Sequence, residues 1–321
     1  MRGKVKLKNQ TVEKIAYEIG FDLIGFAKAD ILDDEAEKLQ KWVNKKYHGG
    51  MRYMAENIDK RRDVRKILPS AKSVISLGVN YYYAADYENK PNTGKVSRYA
   101  WGEDYHYLMW EMLEKFERRL KEIEPEIQTK SYVDTGATMD AVWAYKSGLG
   151  WLGKNTTVIN PDYGSWFFIA TVLTNIDFIP TPPLAERCGT CAACIDACPT
   201  NALTAPYELD ATKCISYLTI ENKGEIPPEF QGKFNNWIFG CDICQEVCPW
   251  NKKFAKQTSK KEFAPVNKEL DLDMFENMSN REFNRKFEKS PIKRARVKGM
   301  RRNANFLKNS NNQENSQNEK S

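Results

Sequence analysis

Apolar residues recur every three or four positions in two stretches of the first half of the chain. Val12, Ile15, Ala16 and Ile19 mark a helix over residues 11–19, followed by Gly20, and Tyr105, Leu108, Met112, Phe116 and Leu120 mark a longer amphipathic helix. Residues 21–27, 73–83 and 166–173 have a different texture. They are rich in β-branched and aromatic side chains, which predicts strands. Residues 137–146 read as helical. The succession predicts an α+β or α/β layered domain over residues 1–178. Pro180, Pro182 and Pro183 then deny backbone donors and favour an extended linker, so a domain boundary is expected at 179. From Asn309 to the end no apolar residue remains, and disorder is expected over 309–321.

Composition narrows the class. Of 321 residues, 41% are hydrophobic and 29% charged, enough to bury a core. No stretch approaches the ~20 consecutive apolar residues of a membrane span, and the basic residues 1–8 are not followed by an apolar signal core. A cytoplasmic monomer with no membrane association is therefore expected. The net charge of +6 is unevenly spread: residues 281–308 hold eleven Lys or Arg against two Glu. A basic segment on a near-neutral body points to one localised polyanion contact.

All eight cysteines lie beyond the proline segment, and a reducing compartment makes a disulfide framework a poor explanation for them. Cys188, Cys191, Cys194 and Cys198-Pro199 spell C-x2-C-x2-C-x3-C-P. Cys241, Cys244 and Cys248-Pro249 repeat its end, with Cys214 displaced upstream. A cubane has four iron corners, and a short loop delivers thiolates to three of them. In two-cluster ferredoxins the last cysteine of each run crosses to the other cluster. The expected sets are Cys188, Cys191, Cys194 and Cys248 for one 4Fe-4S cluster, and Cys214, Cys241, Cys244 and Cys198 for the other. Paired zinc sites would not call for two runs ending in C-x2-C-x3-C-P.

Two adjacent clusters suggest an electron path that needs an end point. His48 and His106 are the only histidines, which excludes a histidine-rich metal centre. Gly148, Gly150 and Gly153 match G-x-G-x-x-G, and residues 148–154 match the start of a P-loop. The preceding segment is helical rather than a strand, however, and Asn155 stands where magnesium binding needs Ser or Thr. These glycines instead suit a helix end and close backbone approach.

Several motifs together resemble the epoxyqueuosine reductases: Ser97-Arg-Tyr-Ala-Trp-Gly-Glu-Asp-Tyr-His106, Val133-Asp-Thr-Gly136, Gly148-Leu-Gly-Trp-Leu-Gly-Lys-Asn-Thr156, Gly164-Ser165, the first cysteine run, Cys214-Ile-Ser-Tyr-Leu-Thr-Ile-Glu221, and Gly240-Cys-Asp-Ile-Cys-Gln-Glu-Val-Cys-Pro-Trp-Asn251. The resemblance runs from about residue 10 to 306. It implies an α+β fold with a nitroreductase-like cobalamin-binding and catalytic domain over 1–178 and a bacterial two-cluster ferredoxin-like domain over 179–260. A basic helical segment over 261–308 and the tail follow. It also implies reduction of epoxyqueuosine to queuosine at the wobble position of tRNA, with cobalamin and both clusters, fed by a low-potential electron donor.

Asp134 matches the family's proton donor, although Asp-Thr-Gly after a strand is also ordinary turn chemistry. Ser97, Tyr105, His106, Lys154, Asn155, Ser165 and Asp242 match positions that line the cofactor. Lys293, Arg294, Arg296, Lys298, Arg301 and Arg302 are the expected tRNA contacts. Ala137 and Asp140 depart from the family's usual Pro and Glu, which puts any contact made through that Glu in question. Two rival readings are a cobalamin-dependent reductive dehalogenase, typically exported with a twin-arginine signal that this N-terminus lacks, and a ferredoxin-like carrier, which leaves the first half of the chain without a role.

Overall fold

The computed structural model describes residues 7–318; residues 1–6 of the basic N-terminal stretch and 319–321 of the tail lie outside the described residues. Helix α1 (Asn9–Ile19) buries Val12, Ile15 and Ala16 and stops at Gly20, whose left-handed backbone lets its N–H reach the Ala16 and Tyr17 carbonyls. The first part of the chain continues with β1 (Leu23–Lys28), β2 (Ser73–Asn80), β3 (Thr93–Val96), α2 (Tyr105–Ile123), β4 (Thr129–Tyr132), α3 (Asp140–Lys146) and β5 (Phe167–Thr174).

The main sheet has the order β1-β2-β5-β4 and is antiparallel throughout. β2 pairs with β5 along its whole length, from Ser73 opposite Thr174 to Asn80 opposite Phe167. Every residue of β2 is buried because both faces are covered. Ile75, Leu77 and Val79 join Val12, Ile15, Met112 and Phe116 in one core, while Val74 packs with Trp143 and Leu173 on the other side. Gly25 in β1 is needed for that second layer. A methyl group there would overlap the carbonyl oxygen of Ser147 at the end of α3.

In the second part the two cysteine runs repeat one local fold. A four-residue helix, Ala193–Asp196 in one and Ile243–Glu246 in the other, leads to a final turn in which the Cys198 and Cys248 amides donate to Ile195 and Gln245 carbonyls at 3.2 Å each. The chain then adds β6 (Trp237–Phe239), β7 (Glu269–Asp271) and α4 (Arg296–Asn318).

A three-stranded sheet of order β6-β3-β7 joins the parts, with β3 in the middle, parallel to β6 and antiparallel to β7. Val96, Ala100 and Trp101 therefore belong to the core of the second part, with Trp237, Phe239, Phe275 and Met300. The proline segment does not cut the molecule cleanly, since residues 93–101 sit on the far side of it in space. Helix α4 packs through Val297, Met300, Ala304 and Leu307, an apolar stripe at helical spacing.

The expectation of disorder from Asn309 is corrected over Asn309 to Asn318, where α4 continues. The Ser310 hydroxyl accepts from the Gln231 side chain at 2.5 Å and from the Gly232 amide at 3.2 Å. Extending an anchored helix adds a bond per residue without a new nucleus, which composition alone does not register.

Replacing Gly25 by Ala is expected to push α3 off β1 and lower stability by about 1–3 kcal/mol, as overpacked cores do. A urea unfolding midpoint equal to that of wild type would show that the two layers are not in tight contact there.

Candidate active site

Strand β4 ends in the buried Val133, and the chain turns at Asp134 with φ of +48°, a left-handed conformation that aspartate tolerates better than most residues. The Asp134 side chain is 53% exposed, so it faces an opening rather than the core. Its carboxylate accepts from the Tyr105 hydroxyl and meets the His106 Nε2 at 3.0 Å. Both donors lie in the first turn of α2, where Asp104 is the N-cap and accepts the His106 amide at 3.1 Å. The same Asp104 oxygen meets His106 Nδ1 at 2.7 Å. The imidazole thus bridges two carboxylates. Burial works against its charge, but the hydrogen bonds to Asp104 and Asp134 outweigh that and raise its pKa to about 9. Tyr105 stacks on Phe168 of β5 at 4.0 Å, and burial, then the Asp134 charge, push its hydroxyl well up.

Ser97 and Asp242 come together elsewhere. The buried Asp242 carboxylate accepts from the Ser97 hydroxyl and from the Arg98 amide at 2.7 Å. Burial raises its pKa to about 7, against the pull of those two donors. Tyr99 packs edge-on to Tyr105 with ring centroids 6.4 Å apart, and burial, then the charges of Asp242, Glu221 and Asp134, push its hydroxyl up. Tyr99 and Asp104 were not among the expected site residues. Asp104 was legible as a helix cap at the start of an amphipathic helix, while its contact with the His106 ring shows only in three dimensions.

Cys188, Cys191, Cys194 and Cys248 line one cavity of about 40 Å³ with Lys154, Asn155 and Trp250. That is more than one water or ion requires. Burial raises the Cys214, Cys241 and Cys244 thiols, and the charges of neighbouring cysteines add to it: Cys198 acts on Cys214, Cys244 on Cys241, and Cys214 before all others on Cys244. Buried, mutually repelling thiols become thiolates only against strong positive charge, such as iron supplies. The buried Trp151 indole N–H has no hydrogen-bond partner and neighbours Cys188, placed to donate to a ligated sulfur.

The glycine-rich loop serves this cavity. Lys154 Nζ donates to the Gly189 and Cys191 carbonyls at 2.6 and 2.8 Å, and Asn155 reaches the Cys244 carbonyl at 3.4 Å. Ser165 is clamped to the second cysteine run: its amide donates to Asn251 at 2.6 Å and its hydroxyl to Gln245 at 2.8 Å.

The basic residues divide into two groups. Lys293, Arg294, Arg296 and Lys298 are exposed, Arg294 being paired with Glu221 at 2.9 Å. Arg301 donates to the Phe275 and Met278 carbonyls, and Arg302 to those of Leu218, Asn222 and Gly224. Those two guanidinium groups fasten α4 to the body.

Comparison with known proteins decides the family. Residues 61–135 match the family described as Epoxyqueuosine reductase QueG, DUF1730, and residues 187–251 match the 4Fe-4S double cluster binding domain. An epoxyqueuosine reductase of Leadbetterella byssophila is 47% identical over 301 residues, 94% of this chain and 98% of its own length. The chain belongs to the epoxyqueuosine reductase family. A crystal structure of epoxyqueuosine reductase with an epoxyqueuosine-modified tRNA stem loop is 35% identical and superimposes with a TM-score of 0.86 over 93% of this chain and 80% of that one. The Bacillus subtilis enzyme, seen with its Asp134 catalytic loop swung out of the active site, is 34% identical, with a TM-score of 0.85 and the same coverage.

Within this epoxyqueuosine reductase family the Asp140 departure has a definite local role here. Its carboxylate accepts from Thr138 at 2.8 Å and Thr171 at 2.5 Å, and Arg61 donates to the Thr138 carbonyl at 2.7 Å. The far end of the Asp134 turn is thereby tied to β5 and to a buried cation.

Because the folded His106 pKa lies above its ordinary 6.5, its contribution to stability is fully present below about pH 6.5 and is lost as pH rises through about 9. The stability gap between wild type and His106→Gln should therefore shrink across that window in urea titrations. A gap independent of pH would mean that the bridging imidazole is neutral.

Proposed function

We propose that this chain reduces epoxyqueuosine to queuosine at the wobble position of tRNA, in the cytoplasm, with two 4Fe-4S clusters and cobalamin. The observation that carries the reading is an acid site built beside the cysteine module: Tyr105 and His106 hold the exposed Asp134, and Asp242, between Cys241 and Cys244, holds Ser97 and Arg98 of the segment that leads into them. Cys188, Cys191, Cys194 and Cys248 ligate one cluster, and Cys214, Cys241, Cys244 and Cys198 the other. Each cluster stores and passes one electron at a time, drawn from a low-potential donor.

Cobalamin supplies a low-valent cobalt able to deliver electrons to a carbon–oxygen bond. The residues that would hold it are Ser97, Tyr105, His106, Lys154, Asn155, Ser165 and Asp242, with Lys154 acting through the cysteine-loop carbonyls it clamps. Both ring nitrogens of His106 are committed to carboxylates, Nδ1 to Asp104 and Nε2 to Asp134.

The reaction takes two electrons and two protons: the epoxide oxygen leaves as water and the two carbons regain a double bond. Negative charge builds on the oxygen as the first carbon–oxygen bond breaks, and Asp134 donates a proton to it there. Tyr105 and His106 aim the carboxylate; the cationic His106, hydrogen-bonded to Asp134 Oδ1, supplies the proton that Asp134 passes on, and the half-exposed carboxylate takes the second proton from solvent.

Asp134→Asn keeps the shape but cannot donate an acidic proton, so turnover should fall about 100- to 10,000-fold with cluster and cobalamin spectra unchanged. Normal turnover in a fully loaded variant would reduce Asp134 to a turn residue. Anaerobic protein should carry about eight iron and eight sulfide per chain. Cys198→Ser should damage the cluster held mainly by Cys214, Cys241 and Cys244, and damage confined to the cluster of its own run would refute the crossing.

A further inference from the structure

Helix α2 turns two aromatic side chains to solvent directly beside the Asp134 site. Tyr107 is 52% exposed and Trp110 48%. They lie three residues apart on one helix face, with ring centroids 6.3 Å apart. The Trp110 ring is also 5.2 Å from that of His106, whose Nε2 meets Asp134. Neither side chain supports the core, and neither reaches the Asp134 carboxylate.

Positive charge lies at the start of the same helix. The Lys289 carbonyl accepts the Asp104 amide at 2.7 Å, and Lys293 is close enough to help hold the Asp104 carboxyl down, after the larger effects of burial and of His106. The turn that carries Lys293, Arg294 and Arg296 therefore lies against the start of α2. Arg294 itself is within electrostatic reach of Asp134. Flat π faces next to an exposed cationic rim are what unpaired nucleotides require, because bases stack on aromatics while phosphates meet Lys and Arg. A second copy of this chain would bring the same cationic rim against itself, which is repulsive.

We infer that Trp110, with Tyr107, is a stacking platform for an unpaired base of the RNA loop adjacent to the nucleotide on which Asp134 acts. The inference rests on the tRNA reading above and gives that substrate a base contact separate from the reacting pocket. Stacking is uncharged in character, so its contribution should persist at salt concentrations that weaken the phosphate contacts.

The test uses cluster-loaded wild type, Trp110→Ala and Trp110→Phe, each titrated by fluorescence anisotropy with an anticodon stem loop carrying guanosine at the wobble position, at several salt concentrations. Trp110→Ala should raise Kd about 5- to 150-fold, the range that one stacked base is worth. The slope of log Kd against log salt should stay unchanged, and Trp110→Phe should retain most of the affinity. An abasic nucleotide at the stacked position should abolish the difference between wild type and Trp110→Ala. Neutralising Lys293 and Arg296, in contrast, should flatten the salt slope. Wild type that binds and Trp110→Ala that binds equally well would overturn the platform while leaving the tRNA reading intact. A wild type that fails to bind the stem loop would overturn both. A dimer that dissociates on Trp110→Ala with RNA affinity intact would assign the patch to a second copy and overturn the inference.

Discussion

A compact loop can present three thiols to one cubane but not four, and much of the second half of the molecule follows from that limit. Cys248, the last cysteine of the second run, lines the cavity of the first, so the lining of that cavity is a joint product of both runs. The two short helices lie side by side. Lys154 and Trp151, from the first half of the chain, complete the enclosure from outside, so the cysteine module has no closed surface of its own.

The same arrangement positions the acid. Asp242 stands between two cysteines of the second run, and it holds Ser97 and Arg98 by hydrogen bonds. A short stretch further on, that segment becomes the Asp104 cap of α2, which presents Tyr105 and His106 to Asp134. β3, immediately before Ser97, is locked between β6 and β7. A shift of the second cysteine run would therefore travel through residues 93–104 to Asp134. Asp134 needs this support because its own turn is left-handed and half open to solvent. The Arg61, Thr138 and Asp140 cluster holds the turn from the other end.

How much of this could be read beforehand depended on the range of the interaction. The grouping of thiols follows from local spacing and the shape of a cubane, and the helices at Val12 and Tyr105 follow from a period that neighbours enforce. β3 could not be read, because Thr93-Gly-Lys-Val96 has no apolar run and its partners lie far along the chain. Charge was an ambiguous signal for a related reason. Arg301 and Arg302 look like phosphate ligands in a basic segment, yet their guanidinium groups are spent on main-chain carbonyls. Lys154 looks like a direct cofactor ligand, and its ammonium group donates to the Gly189 and Cys191 carbonyls of a cysteine loop. Asp104 looks like a plain helix cap, and only three-dimensional proximity reveals that it also holds the far nitrogen of His106.

The central claim is that this arrangement removes an oxygen atom from a nucleoside in RNA by way of reduced clusters. Its most direct test is a single-turnover experiment: anaerobic, cluster-loaded protein with cobalamin and a chemical reductant is mixed with an epoxyqueuosine-containing stem loop, and the RNA is digested and weighed by mass spectrometry. The account predicts conversion to a nucleoside lighter by one oxygen atom, dependent on both reductant and cobalamin. An unchanged nucleoside in the presence of fully reduced clusters and bound cobalamin would contradict it.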